Sequence, residues 1–472
     1  MGTSMSREQK RARARFLRKA VMVLFGLCVI TLIADIVCVI ILLAGKGKSD
    51  KSDTTAITST VATNDSAVIS GGEGSSDTSE TTEATTPAPS AIEVKEYLPE
   101  NDLAEAYWGP LPEVTEVKPV QHNEIRGIYI AGGMRLDENI ELAKSSDINA
   151  FVVDLKDEAN GVLFNSNNEM ANAMTLYGYS RNKETGDETW ENKGSYVTNA
   201  YDLDNVIKKC HENGIKVIGL IVCFNDLSLA KNHPEMSIKD VDGNTMRFKL
   251  ESYHMFVNPY DQRVWEFLID IANEAIDRGV DEIQFDYVRF PTISTKSGEK
   301  PYFGPEDTTP TRVDAINRFL QTARRRIQDP TGVPVTADVF GIILSSELDG
   351  KLIGQGWNTV GLTGVDAVCP MLYPSHYALN TELNGKMFDK PDKYPYDVMY
   401  NALMCGKEAA SQEGYCTVRP YVQAFTATYI GKDNYLNYTE TEIKQEIQAI
   451  YDAGYNEWIL WNATAKYANR FS

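Results

Sequence analysis

The sequence predicts an α/β fold of the (β/α)8 TIM-barrel type, on three observations. Beyond about Pro119, short apolar runs alternate with amphipathic stretches, the pattern of a parallel sheet wrapped by helices. The runs number about eight, which is the count that closes a barrel. An open doubly wound sheet would carry a glycine-rich phosphate loop after its first strand, and Ile128-Tyr-Ile-Ala-Gly-Gly133 lacks the GxGxxG pattern.

Three segments precede the barrel. Residues 1–19 hold the one strongly basic block, Arg7, Lys10, Arg11, Arg13, Arg15, Arg18 and Lys19. Residues 20–44 form an apolar run with a single charge, Asp35, long enough to cross a hydrocarbon core of roughly 30 Å. A cleavable signal peptide would have a shorter apolar region and a small-residue cleavage site, so a transmembrane helix is expected. The basic flank keeps the N-terminus cytoplasmic and puts the rest outside the cell. Residues 45–95 are rich in Ser, Thr, Gly, Asp and Ala with almost no large apolar side chain, the composition of a disordered extracellular linker. The barrel domain is then 96–472, on a single-pass cell-membrane protein.

The expected strands, in order, are Arg126 to Ala131, Asn149 to Lys156, Lys216 to Asn225, Glu282 to Phe290, Pro334 to Phe340, Asp366 to Tyr373, Val418 to Phe425 and Glu457 to Asn462. Helices are expected at Asp202 to Asn213, Asp261 to Arg278, Thr311 to Gln328 and Thr439 to Ala453, three of them ending at a glycine able to cap them. The acidic excess, 66 acidic against 46 basic residues for a net charge of −20, excludes a nucleic-acid partner, which needs a basic face. The five cysteines beyond the membrane run show no CxxC spacing and set no disulfide framework, Cys405 and Cys416 being the one close pair.

Catalytic groups in such barrels sit at the carboxyl ends of strands. In the fourth strand, alternation puts Ile283, Phe285 and Tyr287 toward the helices and Glu282, Gln284 and Asp286 inward. In the fifth, Val335, Ala337 and Val339 face the helices while Thr336 and Asp338 face inward. Two inward carboxylates on neighbouring strands are the equipment of glycoside hydrolysis: one acid to protonate the leaving oxygen, one carboxylate to attack the anomeric carbon or activate water. Asp286 and Asp338 are therefore the catalytic candidates. On the second strand Asp154 and Lys156 share a face; Asp154 is a third acidic candidate, and Lys156 could pair with a carboxylate and hold it ionised or bind a sugar hydroxyl. Arg289 could orient an acid or clamp substrate. The aromatic residues Phe224, Tyr287, Tyr373, Tyr377, Phe425 and Trp461 lie at or near strand ends, where sugar rings would stack. His376 stands at the same rim, able to donate to a sugar hydroxyl or to order its loop. No HxH or HExxH spacing predicts a metal, no cofactor is implied, and neither a GxSxG elbow nor a P-loop is present. The connection between Asn225 and Pro259 is long enough to form a wall of the cleft.

Together Arg126-Gly-Ile-Tyr129, Val153-Asp-Leu-Lys-Asp-Glu158, Phe285-Asp-Tyr-Val-Arg-Phe-Pro291, Ala337-Asp-Val-Phe-Gly341 and Met371-Leu-Tyr-Pro-Ser-His-Tyr377 resemble a glycoside hydrolase domain family of unknown function, found largely in Gram-positive bacteria. A more distant likeness is to the α-amylase clan, whose strand-four aspartate nucleophile and strand-five acid/base glutamate correspond to Asp286 and Asp338. Gln284 stands where that clan has arginine and Gln423 where it has a third acid, which argues against an α-glucan substrate and leaves Gln423 as a substrate-binding candidate. The expected activity is hydrolysis of an extracellular or cell-wall polysaccharide. The alternative is a carbohydrate-binding or scaffolding protein that keeps the barrel without turnover.

Overall fold

A computed structural model describes residue 98 and residues 101–182, 185–195 and 200–467. The expected cytoplasmic segment, membrane helix and linker lie outside the described residues. Among the described residues, no helix is long and apolar enough to cross a membrane.

Eight strands form the barrel: β1 Arg126–Tyr129, β2 Ala150–Asp157, β3 Lys216–Val222, β4 Glu282–Asp286, β5 Val335–Phe340, β6 Ala367–Met371, β7 Tyr421–Gln423 and β8 Trp458–Trp461. Each pairs in parallel with the next, and β8 pairs with β1, so the sheet closes without an edge. The Tyr467 hydroxyl staples that seam, donating to the carbonyls of Tyr129 on β1 and Leu460 on β8. The strands sit where the apolar runs predict them.

The helices that follow are α1 Leu136–Lys144, α2 Leu203–Glu212, α3 Gln262–Asp277, α4 Arg312–Ala323, α5 Glu347–Ile353, α6 Pro395–Ala410 and α7 Glu440–Asp452. Asp202 and Asp261 cap α2 and α3 with side-chain oxygens, while Thr311 with Asp314 and Thr439 with Glu442 form capping boxes on α4 and α7. Gly214 and Gly279 leave α2 and α3 with φ of 70° and 108°, which a side chain would resist. α4 runs on through a π turn, Arg324–Gln328, matching its expected length.

Alternation divides the barrel's apolar side chains into two clusters. The larger lies between sheet and helices and includes Phe151, Val153, Ile283, Phe285, Val335, Ala337 and Val339. The smaller fills the interior with Val152, Ile218, Leu220, Val222, Tyr421 and Ile459. Tyr287 corrects the sequence reading: its φ of 48° breaks the extended alternation just past β4, and its ring packs on the interior cluster instead of facing the helices. Such a backbone costs about 1–3 kcal/mol for a residue with a side chain and gathers at functional sites.

The amino-terminal end of the barrel is closed by ions. Arg419, wholly buried, binds Glu282, which also accepts from Thr336, and donates to Glu457 at 2.6 Å. His122, in the strap preceding β1, bridges Asp366 at 2.8 Å and Glu457 at 3.1 Å. Among the described residues the five cysteines, Cys210, Cys223, Cys369, Cys405 and Cys416, are free thiols.

Candidate active site at the carboxyl end of the barrel

Asp286 ends β4 with its carboxyl at the mouth, partly exposed, accepting the backbone N–H of Tyr287 at 2.6 Å. Burial pushes its pKa from 3.8 up to about 6, against the pull of that N–H and of the Arg289 charge. Asp154, on β2, is held by the Tyr129 hydroxyl at 2.7 Å. Burial raises its carboxyl to about 7, the Tyr129 bond opposing and the charges of Asp157, Glu158 and Asp286 adding to the rise. Glu158, just past β2, is raised by burial and by Asp286. Three carboxyls thus feel one another at one end of the barrel. Asp157 is occupied differently, accepting from Ala159, Asn160 and the Asn160 amide to fold its own turn.

Asp338 points inward from β5 as alternation requires, but lies below the mouth at 2% exposure. Burial and the neighbouring Asp286 push its carboxyl well above the usual range. Beside it Gln284 donates to Cys369 and accepts from the Tyr421 hydroxyl.

Four candidates are placed differently from the reading that they touch substrate. Lys156 is buried, 2.8 Å from Asp226 and donating to the Val222 carbonyl. Arg289 is buried too, its guanidinium gripping both oxygens of Glu251 at 2.9 and 3.1 Å and packed over the Tyr287 and Phe340 rings. Both partners come from the long connection after β3, so these cations anchor that wall to the barrel. Gln423 is fully buried and binds two turns of the β6–α6 connection, accepting from the Ser375 N–H and donating to Asp392. Tyr373 is 4% exposed within the interior cluster, edge-on to His376 at 4.8 Å, whereas His376 itself stays partly exposed at the rim, with burial lowering its pKa to about 4.

Aromatic side chains wall one side of the mouth. Trp461 stacks on Tyr129 at 6.1 Å and meets Tyr373 and Phe425 at 6.0 and 5.3 Å. Trp461, Tyr129, Tyr287 and Phe425 are half-buried, keeping ring surface available. Phe224 and Tyr377 belong to the outer core. Glu158 and Tyr129 were not among the expected site residues; extending the Asp154, Lys156 alternation by two positions would have found Glu158. Among the described residues no group of His, Cys, Asp and Glu side chains could hold a metal ion. A groove of about 920 Å³ lies elsewhere, lined by Val313, Ile343, Leu344 and Trp357, and brings together none of the strand-end carboxyls.

A family model described as "Putative glycosyl hydrolase domain" matches residues 125–467. Among solved structures, a hypothetical protein from Ruminiclostridium thermocellum is 32% identical, with 45% of this chain and 97% of that one covered and a TM-score of 0.35. The PgaB (BpsB) glycoside hydrolase domain from Bordetella bronchiseptica is 10% identical, with 73% and 95% covered and a TM-score of 0.47. An alpha-galactosidase from Thermus thermophilus is 9% identical, with 76% and 60% covered and a TM-score of 0.41. No curated protein matches the sequence.

Proposed function

Because the chain belongs to this family of glycosyl hydrolase domains, we propose that it is a glycosidase cleaving an extracellular or cell-wall polysaccharide by a two-carboxylate mechanism. The observation that carries the reading is the placement of Asp154, Glu158 and Asp286 at the carboxyl ends of β2 and β4, each partly exposed, beside half-buried aromatic rings. Asp286, at about 6, is largely ionised at neutral pH and attacks the anomeric carbon or takes a proton from water. Asp154, at about 7, keeps a proton near neutrality and protonates the leaving oxygen. The Tyr129 hydroxyl occupies Asp154 Oδ2, which leaves Oδ1 to carry that proton. Asp338, the acid suggested by sequence, is too deep to reach a leaving group and acts beneath Asp286. Trp461 and Tyr129 offer faces for sugar C–H groups.

The apolar run 20–44 is the proposed anchor, holding the barrel outside the cell membrane on the 45–95 linker. Protease added to intact cells should then release the barrel.

The test is reducing-end release by the full-length chain in detergent from a panel of purified wall and secreted glycans. Asp286→Asn and Asp154→Asn should each lose at least about a thousandfold in rate with the fold intact. Full activity in Asp286→Asn would sink the assignment. Binding without product from the parent would establish the carbohydrate-binding alternative instead.

A further inference from the structure

We infer that the glycan this site takes is positively charged, an amino-sugar polymer whose free ammonium groups supply the counter-charge that the barrel mouth lacks. The inference rests on the glycosidase reading and narrows its substrate class.

Hydrolysis needs two carboxyls, here Asp286 and Asp154. The same end of the barrel also holds Asp157, whose oxygens fold its own turn, Glu158 just past β2, and Asp338 on the inner face of β5. The cations whose charges reach Glu158 and Asp286 are Lys156 and Arg289, and both are spent, one 2.8 Å from Asp226 and the other forked on Glu251. An independent observation agrees. Asp338, at 2% exposure, has a buried Oδ1 with no hydrogen-bond partner, an arrangement that costs stability unless something nearby offsets it. Neutral sugars would bring hydroxyls and no charge, and a uronic-acid or phosphate-bearing glycan would add to the repulsion. An ammonium brings three donors and a positive charge to the partly exposed carboxyls of Asp286, Asp154 and Glu158.

The probes are the β-1,4-linked hexamers of glucosamine and N-acetylglucosamine, alike in backbone and different in charge. Their affinity for the full-length chain is measured by calorimetry at about 50 mM and about 500 mM salt. The glucosamine hexamer should bind at least about tenfold tighter at low salt, and the advantage should fall several-fold at high salt. Because the whole molecule carries −20, bulk attraction is separated with two substitutions of equal charge. Glu158→Gln at the mouth should cut the advantage about threefold or more, whereas Glu105→Gln on the helix Asp102–Trp108 should leave it unchanged. Asp286→Asn gives the same test should Glu158→Gln fail to fold.

Equal affinity for the two hexamers, binding of neither, or equal losses in the mouth and distant variants would overturn the inference. Cleavage of neutral glycans with no preference for the charged form would overturn it as well while leaving the glycosidase reading intact. Absence of hydrolysis on every glycan together with preferred binding of glucosamine would fail that reading and keep the charge preference.

Discussion

At the amino-terminal end of the barrel Arg419 lies between Glu282 and Glu457, with His122 bridging Glu457 and Asp366. At the other end Asp286 has Glu158, Asp154 and Asp338 within reach of its charge, and the cations nearby are paired elsewhere. The two ends use the same residue types in opposite ways. One matches each buried carboxyl to a cation, so that breaking a pair costs stability. The other crowds carboxyls together and holds their protons into the neutral range, which lowers stability and prepares acid–base chemistry. Barrels commonly divide this way, stability at the bottom and chemistry at the top.

The largest test of the contrast is Arg419→Met, which leaves Glu282 and Glu457 buried without their cation. It should cost about 3–5 kcal/mol in urea denaturation, with part recovered by adding Glu282→Gln. Asp286→Asn should do the reverse. The raised pKa means that the parent's stability is full below the ordinary 3.8 and is lost as pH rises through about 6. A neutral amide escapes that loss. The variant should therefore match the parent near pH 4 and exceed it above about pH 6, by no more than about 3 kcal/mol at ~1.4 kcal/mol per pH unit, reduced by solvent screening. A variant less stable than its parent at high pH would break the comparison.

Tyr129→Phe sharpens it. The lost hydrogen bond had lowered the Asp154 carboxyl, so the alkaline limb of the kcat/KM profile should move up by as much as about one pH unit. His122→Ala has the smallest expected effect. Burial pulls the His122 pKa down, but Asp366 and Glu457 outweigh it and leave the value raised. Its contribution is complete below about 6.5 and fades as pH climbs through the raised value. The Tm gap between parent and variant should thus be widest near pH 5.5 and close toward pH 8.

The barrel was legible because period-two strands and capped helices are local patterns, each carried by a few adjacent residues such as Thr311 with Asp314. Asp286 and Asp154 were legible as inward acids at strand ends. The spent state of Lys156 and Arg289 was not, because Asp226 and Glu251 arrive from a long connection whose path no periodicity fixes. Nor was Tyr287, where one left-handed backbone angle turns an expected outward ring inward. Gln423 was misplaced for a similar reason: its partners Ser375 and Asp392 lie in the β6–α6 connection, remote in sequence.

The seam between β1 and β8 has a consequence in time. The Tyr467 hydroxyl reaches the carbonyl of a residue 338 positions earlier, so the first strand to emerge during synthesis waits for nearly the last before it gains its second neighbour. Until then the sheet is an open ribbon with two bare edges, slow to finish and able to pair with other chains. Completion of the barrel therefore requires β8, and a stop before Trp458–Trp461 releases a product with both edges exposed.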